Sequence, residues 1–428
     1  MKFKIYKIYK NTILLFYLCC ICFLHYFIAV FKYKGNKANS NGKRVLILSY
    51  FNLGDIVCDS ASLRAIRNSW PDAYIHVLVR RDEGIQLLKN CSYVDNVEKI
   101  TSQNDSIKDY IKQIKHLWNY NFTHSFQLVR HFDQIRKSHL PYILNIPNRF
   151  GILNDKDFWL FKRCYTKYIG VGKRWSRKTE SLEVIKLAGI KVLNENTECL
   201  INETISEVLI RKLGLQSCIQ NFIIIHPGSD LDIKCWPAEY YADLIDRLAS
   251  KQINRIFVTG TRREIDILNK IKEICKSKIE IICDLSLEEF VALINYSKLI
   301  ITNDTGPLHF AIALKKAVIG IFGPTPPDYA VGRDIPKNCV ILRANTKCKD
   351  PQSCDIYLSM SLIERSKNDN ICRNTQRVCM RSIPVEVVEF MSNQLLQYKF
   401  NDEKIIIKPS NNIQNFDKYS ALLKSLTT

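Results

Sequence analysis

The chain is 428 residues long, 46% hydrophobic and 24% charged. That is ordinary globular usage with room for two or three domains, and it excludes a disordered chain, a collagen and a coiled coil. The 62 Lys+Arg against 42 Asp+Glu leave a formal charge of +20, which favours anionic partners: acidic lipid, nucleic acid or phosphorylated substrates. Eight of the lysines fall in the first 43 residues, which contain no Asp or Glu. Within them Ile13–Phe31 is an unbroken apolar run, with His25 as its one ionisable interruption. Nineteen residues at ~1.5 Å each span roughly 29 Å, about a bilayer core. Aromatic residues and Lys32 and Lys34 follow the run instead of a small-residue cleavage site, so residues 12–31 read as a retained transmembrane anchor. Lysines lie on both sides, and the positive-inside count alone does not orient it. Residues 35–43 are a polar linker.

Arg44–Ser49 then reads as a short buried strand. The loop Tyr50–Asp55 follows, Ile56–Ser69 has helical periodicity, and Trp70-Pro71-Asp72 stops it. Ala73–Val79 is the next strand. Strand, helix and strand within so short a stretch make a βαβ unit and a parallel sheet. Less legible alternation continues to about residue 205. A second start appears at Phe222–His226. It is followed by a helix over Pro237–Leu248, a strand over Arg255–Thr259 and a helix from Arg262 to Cys275. Strand Ile279–Cys283 and helix Leu287–Tyr296 come next, then strand Lys298–Thr302, helix Pro307–Leu314 and strand Ala317–Phe322. The fold class is therefore α/β, with two Rossmann-like doubly wound domains, 44–205 and 206–395, and a polar tail over 396–428. Ligands in such sheets bind beyond the carboxyl ends of the strands, so the loops after Ser49, Ile225, Thr259 and Thr302 are the candidate functional loops.

Sixteen cysteines are scattered, three of them (Cys19, Cys20, Cys22) in the apolar run. That is no disulfide framework, and buried thiols are the expectation. The one cluster is Cys348, Cys354, Cys372 and Cys379. It has five, seventeen and six intervening residues and lacks the C-x2-C pair of a zinc ribbon. It is carried as a candidate metal set beside the reading of unligated thiols, and no cofactor is expected.

The chemistry-bearing residues sit in three loops. Asn52, Gly54 and Asp55 lie between the first strand and helix. Gly54 permits close backbone approach there. Asp55 can cap the helix, or take a proton from a hydroxyl within hydrogen-bond reach. Neither the dinucleotide G-x-G-x-x-G nor the P-loop pattern is present. In the second domain Gly228 and Ser229 follow a strand and lead to Lys234, a cation just before a helix start. That placement is unfavourable unless solvent or an anion intervenes. The richest segment is Asn303-Asp304-Thr305-Gly306-Pro307-Leu308-His309, after a buried strand and opening a helix. Its free N–H groups can cradle a diphosphate, and His309 on the first turn either faces that space or packs in the core.

These segments resemble glycosyltransferase family 9, which includes the ADP-heptose:lipopolysaccharide heptosyltransferases. The resemblance rests on Leu53-Gly-Asp55-Ile56, Trp70-Pro-Asp72, Asn148-Arg149-Phe-Gly151 and His226-Pro-Gly228 with Lys234-Cys-Trp-Pro237. It continues through Val258-Thr-Gly260 with Glu264, Asn303–His309, Phe322-Gly-Pro-Thr325 and the ending around Cys379. It implies a GT-B fold with an N-terminal acceptor domain and a C-terminal nucleotide-sugar domain facing a cleft. It implies an inverting, metal-independent transfer of a sugar from a nucleotide-sugar, with heptose and ADP suggested by the family's name. By the same resemblance Asp55 is the general base and Lys234 binds donor phosphate. Asp304, Thr305, Gly306, Pro307 and His309 hold the leaving diphosphate together with Gly228 and Ser229, and Glu264 contacts the nucleoside. Asn52 and Gly54 line the acceptor side. The acceptor is expected to be a lipid-linked or cell-envelope glycan met at the cytoplasmic membrane face. Two other readings stay open: a GT-B-type epimerase that turns over donor without acceptor, and a nucleotide-sugar-binding protein that has lost catalysis. Nucleic acid is not expected, for want of a recognisable module.

Overall fold

The computed structural model describes residues 42–49, 52–101, 106–128, 135–153, 162–170, 175–250, 255–332, 336, 338–343 and 378–397. The apolar run Ile13–Phe31, the tail beyond residue 397 and Cys348, Cys354 and Cys372 lie outside the described residues. Among the described residues no helix is long and apolar enough to cross a membrane.

The first lobe runs β1 (Arg44–Leu48), α1 (Leu53–Ser69), β2 (Tyr74–Val79), α2 (Asp82–Leu88), β3 (Asn96–Lys99), α3 (Ile107–Trp118) and β4 (His124–Gln127). It continues with α4 (Ile135–Ile143), β5 (Asn148–Leu153), β6 (Lys167–Gly170) and α5 (Arg177–Lys186). After α6 (Glu203–Lys212) the second lobe runs β7 (Phe222–His226), α7 (Ala238–Ala249), β8 (Arg255–Gly260), α8 (Ile265–Ile274) and β9 (Glu280–Cys283). It closes with α9 (Leu287–Tyr296), β10 (Leu299–Asn303), α10 (Gly306–Ala313), β11 (Ala317–Phe322), α11 (Pro327–Ala330), β12 (Cys339–Arg343), α12 (Val378–Arg381) and α13 (Val385–Gln397).

Each lobe holds one parallel sheet of six strands, ordered β3-β2-β1-β4-β5-β6 and β12-β11-β10-β7-β8-β9. In both, the strand order reverses beside the lobe's first strand, between β1 and β4 and between β7 and β10. That reversal leaves a crevice at the strands' carboxyl ends, where doubly wound proteins take ligands. Sheets covered on both faces need strands apolar on both faces. Strand β1 meets this by alternation: Val45 and Ile47 enter one core cluster, Leu46 and Leu48 the other. In the second lobe α7 and α13 cover one sheet face and α9 and α10 the other.

Two features were not expected from sequence. The second sheet has a sixth strand, β12, beyond the five read from the pattern. The first helix starts at Leu53, ahead of its apolar periodicity. Helix α1 also lacks a single apolar stripe, because it is sandwiched. Ser62 meets Ser181 of α5 at 2.9 Å on one side, while Val57 joins the core of the second lobe, beside Leu308 and Phe310 of α10. The packing of α1 on α10 thus sets the two lobes edge to edge across their crevices.

Candidate active site

The site is built from the strand ends at the two crevices. On the first lobe, α1 begins directly after β1, which places Asp55 on its first turn. Its Oδ2 accepts a hydrogen bond from the Asn52 N–H at 3.1 Å, so the capping role read from sequence is real. The other oxygen, Oδ1, stands 3.3 Å from Arg177 Nε, and the carboxylate keeps 23% exposure. Capping therefore uses one oxygen and leaves the group open to the crevice. Gly54 has a steric reason to lack a side chain. A Cβ there would lie 2.6 Å from Cδ2 of His309, a residue of the opposite lobe.

On the second lobe the loops after β7 and β10 are tied together by Asn303. Its Oδ1 accepts from the Trp236 N–H at 3.1 Å and the Tyr241 hydroxyl at 3.0 Å, and its Nδ2 donates to the Pro227 carbonyl at 2.7 Å. A buried amide with its partners all in place rigidifies the loops that carry Gly228 and Lys234. Lys234, on a short 3-10 turn over Asp232–Lys234, donates to Asp304 Oδ2 at 2.6 Å. Of the two possibilities left by the sequence, solvent or an anion, the structure places an anion, Asp304, beside this cation. Burial works to raise the Asp304 pKa, but the Lys234 ammonium, with a Thr325 hydrogen bond and His309 beside it, holds the carboxyl below its usual value. Next in the chain, Thr305 is the N-cap of α10 with no side-chain cap hydrogen bond, and Pro307 fills the first turn. This leaves a helix N-terminus open beside Lys234, a suitable seat for a diphosphate.

His309 occupies the junction. Its Nδ1 lies 3.6 Å from Cys58 Sγ of α1. Burial lowers its pKa, and the charges of Asp304 and Asp55 only partly offset that, so the ring is held neutral between two carboxylates. The Cys58 thiol is pushed up to about 12 by burial, with the Asp55 charge adding to it; it is inert packing.

Glu264 sits differently from the other expected residues. Its Oε2 accepts from the Thr261 N–H and hydroxyl at 2.8 and 2.9 Å. Its Oε1 covers Gly228, where a Cβ would meet it at 1.8 Å. Glu264 therefore joins the loop after β8 to the loop after β7. Ser229 Oγ accepts from the Leu231 N–H at 3.5 Å. Of the late cysteines only Cys379 is described; it and Met380 pack over Gly323. Among the described residues no group of three or more His, Cys, Asp or Glu could hold a metal ion.

Three charged residues near the crevice escaped the sequence reading. Asp59 lies one turn below Asp55, an i,i+4 spacing that signals a shared helix face. Arg177 reaches both carboxylates from α5, and nothing local announces it. Arg80, at the end of β2, has its pKa lowered by burial and by Arg81, while Asp230 of the other lobe opposes this across the crevice.

The fold class follows from the topology: two parallel-sheet α/β lobes, the architecture of heptosyltransferase structures of the GT-B type. Residues 203–356 match the model of glycosyltransferase family 9 (heptosyltransferase). The chain is 21% identical over 340 residues to lipopolysaccharide heptosyltransferase 3 of Escherichia coli K12, covering 77% of this chain and 96% of that protein. It is 26% identical over 305 residues to lipopolysaccharide heptosyltransferase 1 of Campylobacter coli, covering 66% and 84%. Its fold is similar to the family 9 glycosyl transferase of Veillonella parvula, with TM-score 0.66, 19% identity and coverage of 83% and 97%. The Escherichia coli ADP-heptose lps heptosyltransferase II gives 0.63, 17%, 82% and 98%. These matches support a glycosyltransferase similar to those of family 9.

Proposed function

We propose that this enzyme moves a sugar, a heptose in the leading case, from an ADP-sugar to a lipid-linked glycan of the cell envelope, such as a lipopolysaccharide core. The transfer is inverting and needs no metal ion. The observation that carries the reading is the apposition of Asp55 to the α10 N-terminus across the crevice, with Gly54 against the His309 ring. The acceptor hydroxyl oxygen attacks the anomeric carbon from the face opposite the diphosphate. The new C–O bond forms as the old one breaks. The bonding pair leaves with the diphosphate, and the hydroxyl proton passes to Asp55. Negative charge grows on the leaving group, where the Gly306 N–H at the start of α10 and the Lys234 ammonium stand. Such preorganised donors are worth about 3–4 kcal/mol each in comparable sites. The names of the related heptosyltransferases support the sugar and the acceptor class. The basic apolar N-terminus supports an anchor that holds the lobes at an anionic cytoplasmic membrane face.

The test is Asp55→Ala. Transfer should fall by roughly a hundredfold or more, the ordinary weight of a positioned base, with nucleoside diphosphate binding retained. Wild-type transfer in that variant removes Asp55 from the mechanism. Donor turnover by the unaltered enzyme in the absence of acceptor would instead indicate an epimerase.

A further inference from the structure

We propose that Arg177 and Asp59 are a positioning pair for Asp55, in which Asp59 locks a buried guanidinium so that it orients the base without taking up the base's charge. The inference rests on the reading of Asp55 as the base.

Asp59 is fully buried, and a carboxylate so placed costs dearly unless it is paired. Each of its oxygens has a partner, yet burial still outweighs them and raises its pKa from 3.8 to about 6, with the Asp55 charge adding to the rise. Asp59 itself therefore titrates near the acid limb and is fully charged only above it. Arg177 donates through one terminal nitrogen to both of its oxygens, at 2.8 and 3.0 Å, and Ser49 Oγ donates at 2.6 Å. The other terminal nitrogen donates to the Leu128 carbonyl at 2.7 Å. Four elements meet there: Ser49 directly follows β1, Leu128 directly follows β4, Asp59 is on α1 and Arg177 opens α5. One polar atom of the guanidinium is left over. Arg177 Nε is buried with no hydrogen-bond partner, and it stands 3.3 Å from Asp55 Oδ1. With Oδ2 on the Asn52 N–H, Asp55 is flanked on two sides and its remaining lone pairs face the crevice.

The charge arrangement matters as much as the geometry. Arg177 stands among the carboxylates of Asp59, Asp55 and Glu180, whose combined pull outweighs the cost of burial and keeps it charged. From the packed elements, Lys178 of α5, Cys58 of α1 and His309 of α10 also face this cluster, with the Asp304–Lys234 pair behind His309. Were Arg177 free, it would form a full ion pair with Asp55 and hold its lone pairs. Bound to Asp59, it leaves the site with excess negative charge, which one arriving proton relieves. A purely structural clamp does not need an Nε aimed at the catalytic carboxylate.

The experiment is the pH profile of kcat, with donor KM and melting temperature, for Asp59→Asn, Arg177→Gln and the neutral double variant, measured on the full chain. Asp59→Asn should move the acid limb to lower pH and Arg177→Gln to higher pH, each by about one unit. Both should lower kcat roughly tenfold with donor KM within about twofold. The double variant, a neutral hydrogen-bonding pair, should bring the limb back toward wild type and guards against loss of fold in either single change. Limbs and kcat unchanged in all three, with only the melting temperature lowered, overturn the inference. Asp55→Asn run alongside separates the two failures. If it retains wild-type kcat, the base assignment falls; if it is inactive while the limbs stay fixed, only the positioning pair falls.

Discussion

At the scale of single residues, the site is governed by what small side chains leave room for. Gly54 is on the first turn of a helix, where alanine is ordinarily the better residue by about 0.5–1 kcal/mol. It is nonetheless one of the contact points of the two lobes, since any Cβ would press on the His309 ring at 2.6 Å. Gly54→Ala should therefore leave the melting temperature nearly unchanged and lower kcat/KM by at least about tenfold, as His309 and the lobe spacing give way. A steady-state assay with a melting curve checks this, and full activity would show that the contact is incidental. The sequence supplied Gly54, Asp55, Lys234 and Asp304–His309 as candidates, because each is an unusual residue at a strand–helix junction. It did not supply Arg177 or Asp59. Their meaning comes from a contact 118 residues apart in sequence, and a lone arginine after a helix cap has no local mark.

At the scale of elements, β2 carries a cost that can be measured. His76 is fully buried, with Asn96 Nδ2 on its Nδ1 at 3.3 Å and no hydrogen-bond partner on Nε2. Its ring sits edge-on to Tyr120 and Phe122, at 4.9 and 5.6 Å. Burial lowers its pKa from 6.5 to about 4, against the opposing charge of Glu98. The unfolded chain then binds a proton below pH 6.5 that the native state refuses, so stability is lost as pH falls from 6.5 toward 4. The loss amounts to about 2 kcal/mol by pH 5. His76→Phe keeps the aromatic packing and removes this proton linkage. Denaturant melts at pH 7 and pH 5 should show the variant losing less stability than wild type over that interval. Equal losses would mean that other groups set the acid sensitivity. Strand β4, on the far side of β1 from β2, shows why the first lobe was harder to read. Its residues are His124, Ser125, Phe126 and Gln127, a polar strand that is buried all the same. Tyr165 donates to Gln127 Oε1 at 2.6 Å, so satisfaction by a distant hydroxyl replaces the apolar run that a pattern search needs.

At the scale of the whole molecule, the prediction concerns the donor. A ligand that binds only the folded state stabilises it by RT ln(1 + [L]/Kd), about 2.7 kcal/mol at a hundredfold excess over Kd. For a lobe of this size that is a rise of several degrees. Among ADP, UDP and GDP, only ADP should raise the melting temperature, and Lys234→Ala should reduce the shift. Equal shifts with all three would remove the argument for an ADP-sugar, and no shift with any would remove the donor site. The full chain is the right material, because Val57 of α1 lies in the second lobe's core and neither lobe is complete at that surface.

By itself the sequence determined the α/β class, the two parallel sheets and the strand-end loops that meet at the crevice between the lobes. Buried strands, helix starts and glycine-bearing turns are local signals with short periods. The tertiary structure decided which of those loops face one another, that Lys234 answers to Asp304, that Glu264 closes over Gly228 and that Arg177 joins Asp59 to Asp55. Those are pairings between groups far apart along the chain. They are fixed by how two lobes pack and by the need of each buried charge for a partner, and no run of neighbouring residues encodes that.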